Sequence, residues 1–482
     1  MESKSIVKIV FFALVLDLLA FTIPLPLFPR LTAWYLKLDS SPDSLLSRLL
    51  LISREWRSIL LSFNGSSRIR AEEGNKQWDI VLLGGLMGSL FSFCQCVISP
   101  WLGSLSDKYG RKRILLATML GNILSAVIWI QSTSFASFLL SRLVGGLSEG
   151  NVQLSTAIIS DVTVSSNRSK SLALVGIAFS ICFTLGPSLG AYFASQPVPP
   201  ALYSSDIKLN VYAVPATISL VLLVIETLYL AARLPETKGW NKAADEKSPS
   251  KADEGRSQSH LALTAEEKLD RLRFVGRLHG LFLLFFSGAE FTLTFLTYDL
   301  FSASNAENGR LLSYIGILSA LLQARHVRPS LARLGELRLS SYGILSCVIA
   351  LSLLATLPYS VSTPSSSTSP SSGISATMLY LAATCLSYTS ATVVTGLTAS
   401  AASLIDDTNP KLQRGKALGG FRSRGQLGRA VGPLLASSLY WVKGPTVAYA
   451  TLAGCLSLVY LLARSQIAHS DRERRKDERK TQ

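Results

Sequence analysis

Charged residues are scarce in this sequence: they make up 16% of its 482 residues, against about 25% in soluble globular domains. This scarcity excludes disordered chains, fibrous chains and ordinary soluble proteins. Histidine is also scarce, with four residues, and the six cysteines are not spaced with histidine as zinc ligands would be. We therefore expect no metal site, no disulfide framework and no enzymatic activity.

One short pattern is similar to that of a serine hydrolase. Residues 146–150 read Gly-Leu-Ser-Glu-Gly, which matches the Gly-x-Ser-x-Gly of a nucleophile elbow. An elbow requires a turn from a strand into a helix, whereas this pattern falls inside a predicted helix. We interpret it as small-residue packing between helices.

Apolar residues are abundant instead, at 48% of the chain, with a mean hydropathy of +0.35. Several stretches are hydrophobic on every face, which is typical of helices in lipid, and about 20 apolar residues suffice for one crossing. The sequence predicts an all-α, polytopic membrane protein with twelve transmembrane helices. These spans, numbered 1 to 12, are 7–29, 79–101, 114–133, 135–160, 171–194, 211–232, 274–300, 310–323, 340–358, 376–404, 416–440 and 446–464. Span 8 is irregular, because only about 14 apolar residues precede Arg325.

The basic residues are concentrated in alternate loops. With the N-terminus inside, the cytoplasmic loops hold thirteen Lys and Arg residues and the short external loops hold three. This positive-inside bias predicts that both termini are cytoplasmic. The net charge of +16 therefore belongs to juxtamembrane loops, and we expect a lipid bilayer and a small-molecule substrate as partners, and no nucleic acid.

A polar segment, 236–268, divides the chain into two halves. It is rich in Lys, Glu, Ser and Ala without periodicity, which is typical of a disordered linker. The sequence predicts an N-terminal six-helix bundle over 1–235, a C-terminal six-helix bundle over 269–465 and a basic cytoplasmic tail over 466–482.

Two further loops are unusual in length or composition. The external loop 30–78 is long and contains Asn64 in an Asn-Gly-Ser sequence, an N-glycosylation acceptor if this side faces the lumen. The segment 360–375 is rich in Ser, Thr and Pro, and we interpret it as a tolerated insertion.

The two halves are related by an internal repeat. Residues 168–187 align with 414–433 without a gap, at a constant offset of 246. The pair Gly186-Pro187 therefore recurs as Gly432-Pro433, which favours a shared hinge because proline removes a backbone hydrogen bond. A six-plus-six parallel repeat is typical of secondary transporters that bind substrate between their halves.

The loop between spans 2 and 3 carries a specific motif. Gly103, Asp107 and Gly110 are spaced along it, and Arg111 follows with two more basic residues. Between two membrane helices this motif is highly specific, and the sequence resembles the major facilitator superfamily. The family fold is two pseudo-symmetric six-helix bundles.

The resemblance implies a conformational latch on the cytoplasmic side. Asp107 is expected to face the N-terminal end of span 11, where a carboxylate suits the positive end of a helix dipole. Arg111 is expected to pair with Asp161 at the end of span 4. This latch would hold the outward-facing state and break on alternation. A basic loop that only sets topology is the alternative, but it explains neither Asp107 nor the two glycines.

Further motifs narrow the resemblance. Arg142 in span 4 resembles the second motif of the family, in which an intramembrane arginine is linked to proton transfer. Gly186, Pro187 and Gly190 in span 5 resemble the signature of drug antiporters.

The segments around Asp17, 150–156 and Glu290 look like the eukaryotic tetracycline-transporter-like branch, which is associated with organic anion and drug transport. This resemblance implies drug export by a proton-coupled antiporter, with the proton as coupling ion and no other cofactor. We expect a monomer in the plasma membrane or in a vacuolar or endosomal membrane.

Several charged residues lie inside predicted spans, where each costs roughly 2.5–3.5 kcal/mol on insertion scales. We expect Asp17 and Glu290 to include the proton-coupling groups. Arg422 and Arg429 are seven residues apart, hence on nearly one face of a helix, and could bind an anionic substrate group. Static pairing, for instance of Glu290 with Arg429, is the alternative.

For the remaining polar residues of the spans, structural roles are considered beside functional ones. Arg424 and Glu226 are close to helix ends, so we expect them to snorkel to the membrane surface. Asn151 and Gln153 could line the substrate cavity or bridge helices.

Three functions remain open from the sequence. The first is proton-coupled antiport of organic anions or tetracycline-like drugs by rocker-switch alternating access. The second is a transporter-like receptor or scaffold without flux, which the irregular span 8 keeps possible. The third is uniport or symport of a sugar or carboxylate.

Overall fold

The structure is a computed structural model that describes residues 2–24, 27–38, 44–62, 75–194, 196, 209–240, 264–362 and 371–480. These residues form sixteen α-helices and one π-helical turn, and none of them forms a strand. Asn64, most of the predicted linker (241–263) and the middle of the Ser-rich segment (363–370) lie outside the described residues.

The helices divide between the two halves of the chain. The N-terminal half contains α1 (Ser3–Thr22), α2 (Phe28–Leu38), α3 (Leu45–Ser62), α4 (Asn75–Tyr109), α5 (Arg111–Ile130), α6 (Phe135–Ser148), α7 (Asn151–Val162), α8 (Ser165–Ala194) and α9 (Ala213–Arg233). The C-terminal half contains α10 (Ala265–Phe301), α11 (Asn305–Leu322), α12 (Arg328–Leu334), α13 (Glu336–Ser362), α14 (Ser371–Ser403), α15 (Arg414–Lys443) and α16 (Pro445–Lys480).

In the described part of the chain, nine helices are long and apolar enough to cross a membrane. They are α1, α4, α5, α8, α9, α10, α13, α14 and α16, and they correspond to nine of the twelve predicted spans. The other three spans are also helical but are interrupted or charged. Span 11, for example, is α15, which carries several arginines along its length.

Span 4 is not one helix, as the sequence predicted, but two. The helix α6 ends at Ser148, Glu149 adopts an extended conformation with φ −75° and ψ 93°, and α7 begins at Asn151. The Gly-Leu-Ser-Glu-Gly pattern therefore covers the last three residues of α6 and the two residues of the break. Because the break falls within the membrane, the end of α6 and the start of α7 leave backbone groups available to nearby side chains.

Span 8 is longer than the sequence predicted. The helix α11 begins at Asn305 with a capping box between Ser304 and Glu307, and a π-helical turn, Gln323–Val327, joins it to α12. The prediction failed because the last turns contain polar residues that face protein and not lipid: the Gln323 side chain donates to Thr395 Oγ1 at 2.9 Å.

The predicted external loop 30–78 contains helices α2 and α3. Tyr35 of α2 is fully buried, its hydroxyl donates to the Ser132 carbonyl at 3.0 Å, and it accepts from Asn210 Nδ2 at 2.7 Å. Trp56 of α3 donates to Ser438 Oγ of α15 at 3.2 Å. These two helices cover one end of the molecule, which we call the cap face. We call the opposite end, which carries Asp107, Asp161 and Arg414, the latch face.

Two predicted irregular segments are partly helical. The helix α10 begins at Ala265 behind a capping box between Thr264 and Glu267, so the end of the predicted linker is ordered. The predicted basic tail continues α16 to Lys480, and Arg338 of α13 donates to both carboxylate oxygens of Asp471, at 2.6 and 2.7 Å.

Glycines allow the repeated helices to pack closely. In α8, Gly186 lies against Thr22 and Gly190 against the Ile23 carbonyl, so α8 packs on the end of α1. In α15, Gly432 lies against the Leu284 carbonyl of α10. The repeat in the sequence is thus also a repeat of packing, and Pro187 and Pro433 lie within uninterrupted helices.

Replacing Gly190 by alanine should destabilise the protein, because the new methyl group would overlap the Ile23 backbone, which cannot rotate away. We expect a cost of about 1–3 kcal/mol, measured as a lower thermal unfolding temperature of the purified protein. Gly454→Ala is the matched control: it lies in α16 with open space around it, so alanine should stabilise it by up to about 1 kcal/mol. Equal unfolding temperatures for the two variants would contradict this packing.

Candidate functional site

Asp107 joins the two halves at the latch face. Its carboxylate accepts from the backbone amides of Gly415 at 2.9 Å and of Lys416 at 2.8 Å, at the start of α15. Helix-initial amides have no partner within the helix, and the helix dipole favours a negative charge beside them. The approach is possible because Gly103 lies against the Gly415 carbonyl, where a Cβ would have no room.

Asp161 bridges two arginines, one from each half. It accepts from Arg111 Nε at 2.9 Å and from Arg414 Nη1 at 2.8 Å. Arg111 also contacts Asp107 at 2.8 Å, and Arg414 contacts Asp407 at 2.9 Å. The side chains of Arg111, Asp161 and Arg414 are at most 8% exposed, so this is a buried network in which each charge has an opposite neighbour.

Sequence reasoning missed the parts that Arg414 and Glu236 take in this network. Glu236 accepts from the Arg111 amide at 2.7 Å, and it fits there because Gly110 has φ +105° and no Cβ. The Leu-Pro-Glu-Thr sequence at 234–237 was the available signal for Glu236. For Arg414 the signal was its repeat equivalence to Arg168, which donates to the Ala402 carbonyl at 3.3 Å.

A second ion pair holds the loop before α15. Lys268 of α10 contacts Asp406 at 2.7 Å, and the Thr408 hydroxyl and amide donate to the same carboxylate. The hydrogen bond from Lys268, together with those from Thr408, lowers the pKa of Asp406 to about 2. This carboxylate is therefore ionised throughout the physiological pH range.

Asp17 lies deep in the N-terminal half, beside the break in span 4. It is 3% exposed, and its carboxylate accepts from Asn151 Nδ2 at 2.5 Å. Asn151 is the first residue of α7 and accepts in turn from Thr118 at 3.2 Å. Asn151 thus bridges α1, α5 and α7. Gln153 is a similar brace, donating to the Ser99 carbonyl at 2.9 Å.

Two acids that the sequence did not single out as functional lie close to Asp17. Glu149 occupies the helix break and accepts from Asn122 at 3.4 Å. Glu226 is 1% exposed and interacts electrostatically with Asp17 and Glu149. The expectation that Glu226 snorkels is therefore wrong. Its spacing from Ser219 and Leu223 puts it on the buried face of α9, which was the missed signal.

Arg142 of α6 is held among aromatic rings. Its guanidinium lies 5.8 Å from the ring centroids of Phe91 and Trp129 and 5.6 Å from that of Phe138. The side chain is 8% exposed. These are cation–π distances, so the rings share in stabilising the buried charge.

Arg422 and Arg429 of α15 face the space between the halves. Arg422 interacts electrostatically with Glu149 and Asp17 of the other half. Arg429, on nearly the same helix face, interacts with Glu290 of α10, which is solvent-accessible although it lies midway along its helix. Arg424 points elsewhere and packs against Gly276 and Gly280 of α10. The site therefore combines two arginines of one half with carboxylates of both halves.

The comparisons with known proteins agree with this architecture. Residues 10–405 match the family model described as Major Facilitator Superfamily. The chain is 34% identical to human major facilitator superfamily domain-containing protein 10 over 95% of this chain and 92% of that protein. The mouse protein of the same name is 32% identical over 96% and 92%. The class B tetracycline resistance protein of Escherichia coli is 29% identical, over 28% of this chain and 33% of that protein.

Solved structures give the same result. The crystal structure of the human organic anion transporter MFSD10 superimposes with a TM-score of 0.73 and 30% identity, covering 96% of this chain and all of that chain. The proton:xylose symporter XylE has a TM-score of 0.63 at 15% identity, covering 96% of each chain, and shares the fold. This all-α, multi-pass chain therefore belongs to the Major Facilitator Superfamily, a family of membrane transporters and not of enzymes.

Proposed function

We propose that this protein exchanges a small organic molecule that carries an anionic group for protons, by alternating access between its two halves. The observation that carries the proposal is the electrostatic interaction of Arg422 in one half with Glu149 and Asp17 in the other. Opposite charges of the two halves meet there in the membrane interior, where each would be costly without a partner. Similarity to the human organic anion transporter supports the cargo class.

Arg422 and Arg429 supply the binding groups for the anionic part of the cargo. A guanidinium presents several donors in a fixed plane that suits a carboxylate or sulfonate. In the described chain Glu290 interacts with Arg429 without a direct ion pair, which leaves donors of Arg429 available. Glu290 then orients Arg429 and offsets its charge when no cargo is bound.

Asp17 and Glu149 supply the coupling. A cargo whose ammonium or hydroxyl group approaches these carboxylates needs them ionised as acceptors, whereas a proton neutralises them. Such a cargo and the proton are therefore bound in alternation. Each changes the populations of the two states through its different affinity for them.

The latch keeps the cargo site closed on one side. We place the latch face, and with it both termini, in the cytoplasm, because the loops there are rich in Lys and Arg. Opening on that side separates Asp107 from α15 and Asp161 from Arg414. Gly186, Pro187 and Gly190 of α8, with Gly432 and Pro433 of α15, are the proposed hinge positions. The continuation of span 8 through the π-helical turn into α12 supports transport over a scaffold without flux.

The cargo site can be tested in liposomes with a panel of tetracyclines and fluorescent organic anions. Arg429→Gln should raise the KM of cargo counterflow by roughly 10- to 100-fold, as expected for loss of a charged hydrogen bond of about 1.5–3 kcal/mol. Arg424→Gln is the matched control on the same helix and should leave KM unchanged. If no compound of the panel undergoes counterflow with the unchanged protein, the proposed function is wrong.

Proton coupling can be tested in the same liposomes with an imposed pH gradient. Asp17→Asn should abolish accumulation driven by the gradient and retain counterflow. Asparagine has the shape of the neutral carboxyl group but cannot take up or release a proton. Glu290→Gln should weaken cargo binding and retain the response to the gradient. Accumulation that ignores the gradient in the unchanged protein for every compound would rule out exchange for protons.

The latch can be tested through Cys96, whose carbonyl accepts from Ser423 Oγ of α15 at 2.7 Å. The test uses a chain whose other cysteines are replaced. Asp107→Asn removes the charge from hydrogen bonds worth about 1.5–3 kcal/mol each, so the interface with α15 should open more often and expose Cys96. We expect alkylation of Cys96 to be faster by roughly tenfold or more. Asp270→Asn, which alters an exposed ion pair of α10, should have no effect. An unchanged alkylation rate in Asp107→Asn would show that Asp107 does not hold this interface.

A further inference from the structure

We propose that a cavity lined by residues of the N-terminal half is a hydrated proton-binding site of Asp17 and Glu149, which retains its proton because Glu226 lies beside it. The proposal deepens the proton coupling proposed above and rests on it for its role in transport. Its ligand is a proton carried by water, and its own tests do not need a transported cargo.

The cavity has a volume of about 50 Å³ and lies between α1, α4, α5, α6 and α9. A polar cavity needs about 10–15 Å³ for each water molecule, so this one is large enough for more than one. Its polar lining consists of Asp17, Asn122, Ser125, Arg142, Glu149 and Ser219. Phe21, Phe91 and Leu223 are among the apolar residues that close it. A cavity with this many charged and polar groups is expected to hold water.

Two buried polar groups, one in the cavity lining and one beside it, lack partners in the described part of the chain. Trp129 lines the cavity and is 1% exposed, and its indole Nε1 has no acceptor. Glu226 is not part of the lining, but it follows the lining residue Leu223 by one turn on the buried face of α9. It is also 1% exposed, and its Oε2 has no donor. Buried polar groups are nearly always satisfied by protein or by ordered water. Water in the cavity would supply the acceptor for Trp129.

The charges around the cavity indicate that it holds a proton. Asp17, Glu149 and Glu226 would contribute three negative charges, while the arginines that face them, Arg142 and Arg422, contribute two positive ones. An unpaired charge in this environment is costly, so one carboxyl stays protonated when no cargo is bound. The three acids are mutually close, which lets them share that proton.

The other elements packed around Asp17 do not change this balance. From α8, Cys182 lies beside Asp17, and its thiol donates to the Val15 carbonyl at 3.3 Å. From α7, Asn151 is neutral. Arg429 and Glu290, farther along the space between the halves, interact with each other. Asp17 and Glu149 therefore have two sides: one faces Arg422 and the cargo space, and the other faces the water of the cavity.

The first test uses infrared spectroscopy of the purified full-length protein. At neutral pH the unchanged protein should show the carbonyl band of a protonated carboxyl group, and that band should shift rapidly on transfer to D₂O. Ala126 lines the cavity and is 5% exposed, so Ala126→Val should fill it and remove the rapid phase of the shift. Ala117→Val, on the exposed side of the same helix, is the matched control and should exchange as the unchanged protein does.

The second test removes one acid. Glu226→Gln leaves two carboxylates opposite two arginines, so the band of the protonated carboxyl should be lost at neutral pH. In liposomes the same variant should lose accumulation driven by the pH gradient and keep counterflow. Thermal unfolding of both variants checks that they are folded.

Three results would overturn the proposal: no protonated carboxyl band in the unchanged protein, an unchanged band in Glu226→Gln, or equal exchange rates in Ala126→Val and Ala117→Val. If the bands behave as expected but no compound is transported, the proton site stands and the transport function fails. If transport is coupled to protons and the bands are absent, the transport function stands and the proton site is wrong.

Discussion

The positive charge that α15 carries into the interface between the halves is the constraint on which the rest of the structure depends. Arg414 at its start forms an ion pair with Asp161 of the N-terminal half, and Arg422 within it interacts electrostatically with Glu149 and Asp17. In the low dielectric of a membrane protein, an arginine without such a partner would be costly. The position of α15 relative to the other half is therefore fixed by charge as well as by packing.

Close packing makes these charge contacts possible. Gly103 and Gly415 bring the backbones of α4 and α15 together at the latch face, and Gly419 approaches the Ser99 carbonyl one turn deeper. Larger side chains at these positions would hold Asp107 away from the amides it caps.

The break in span 4 connects the two kinds of site. Because the helix stops at Ser148 and restarts at Asn151, Glu149 can turn towards Arg422 while Asn151 binds Asp17. A continuous helix would send these side chains to different faces, 100° apart for successive residues. The irregular backbone thus brings the acids of α1 and of the break to one cavity, and Glu226 lies one turn of α9 beyond its lining.

Local pattern determined much of this protein. Apolar runs of sufficient length identified the membrane helices, the internal repeat identified the equivalence of α8 and α15, and the motif from Gly103 to Arg111 pointed to the latch residues. Each of these signals is contained in a short stretch of chain, because a lipid environment and a helix impose simple periodic demands on sequence. The break in span 4 and the full length of span 8 were not predicted, because a helix break and polar residues that face protein do not change the hydropathy profile in a distinctive way.

Only the tertiary structure decided how the buried charges are grouped. Glu226 and Asp17 are far apart in sequence, and whether a charged residue near a helix end reaches the surface or turns inward depends on which helices pack against it. The same holds for Glu236 at the start of α5 and for the cap formed by α2 and α3. Long-range electrostatic contacts and cavities arise from packing between elements, and no local sequence pattern encodes them.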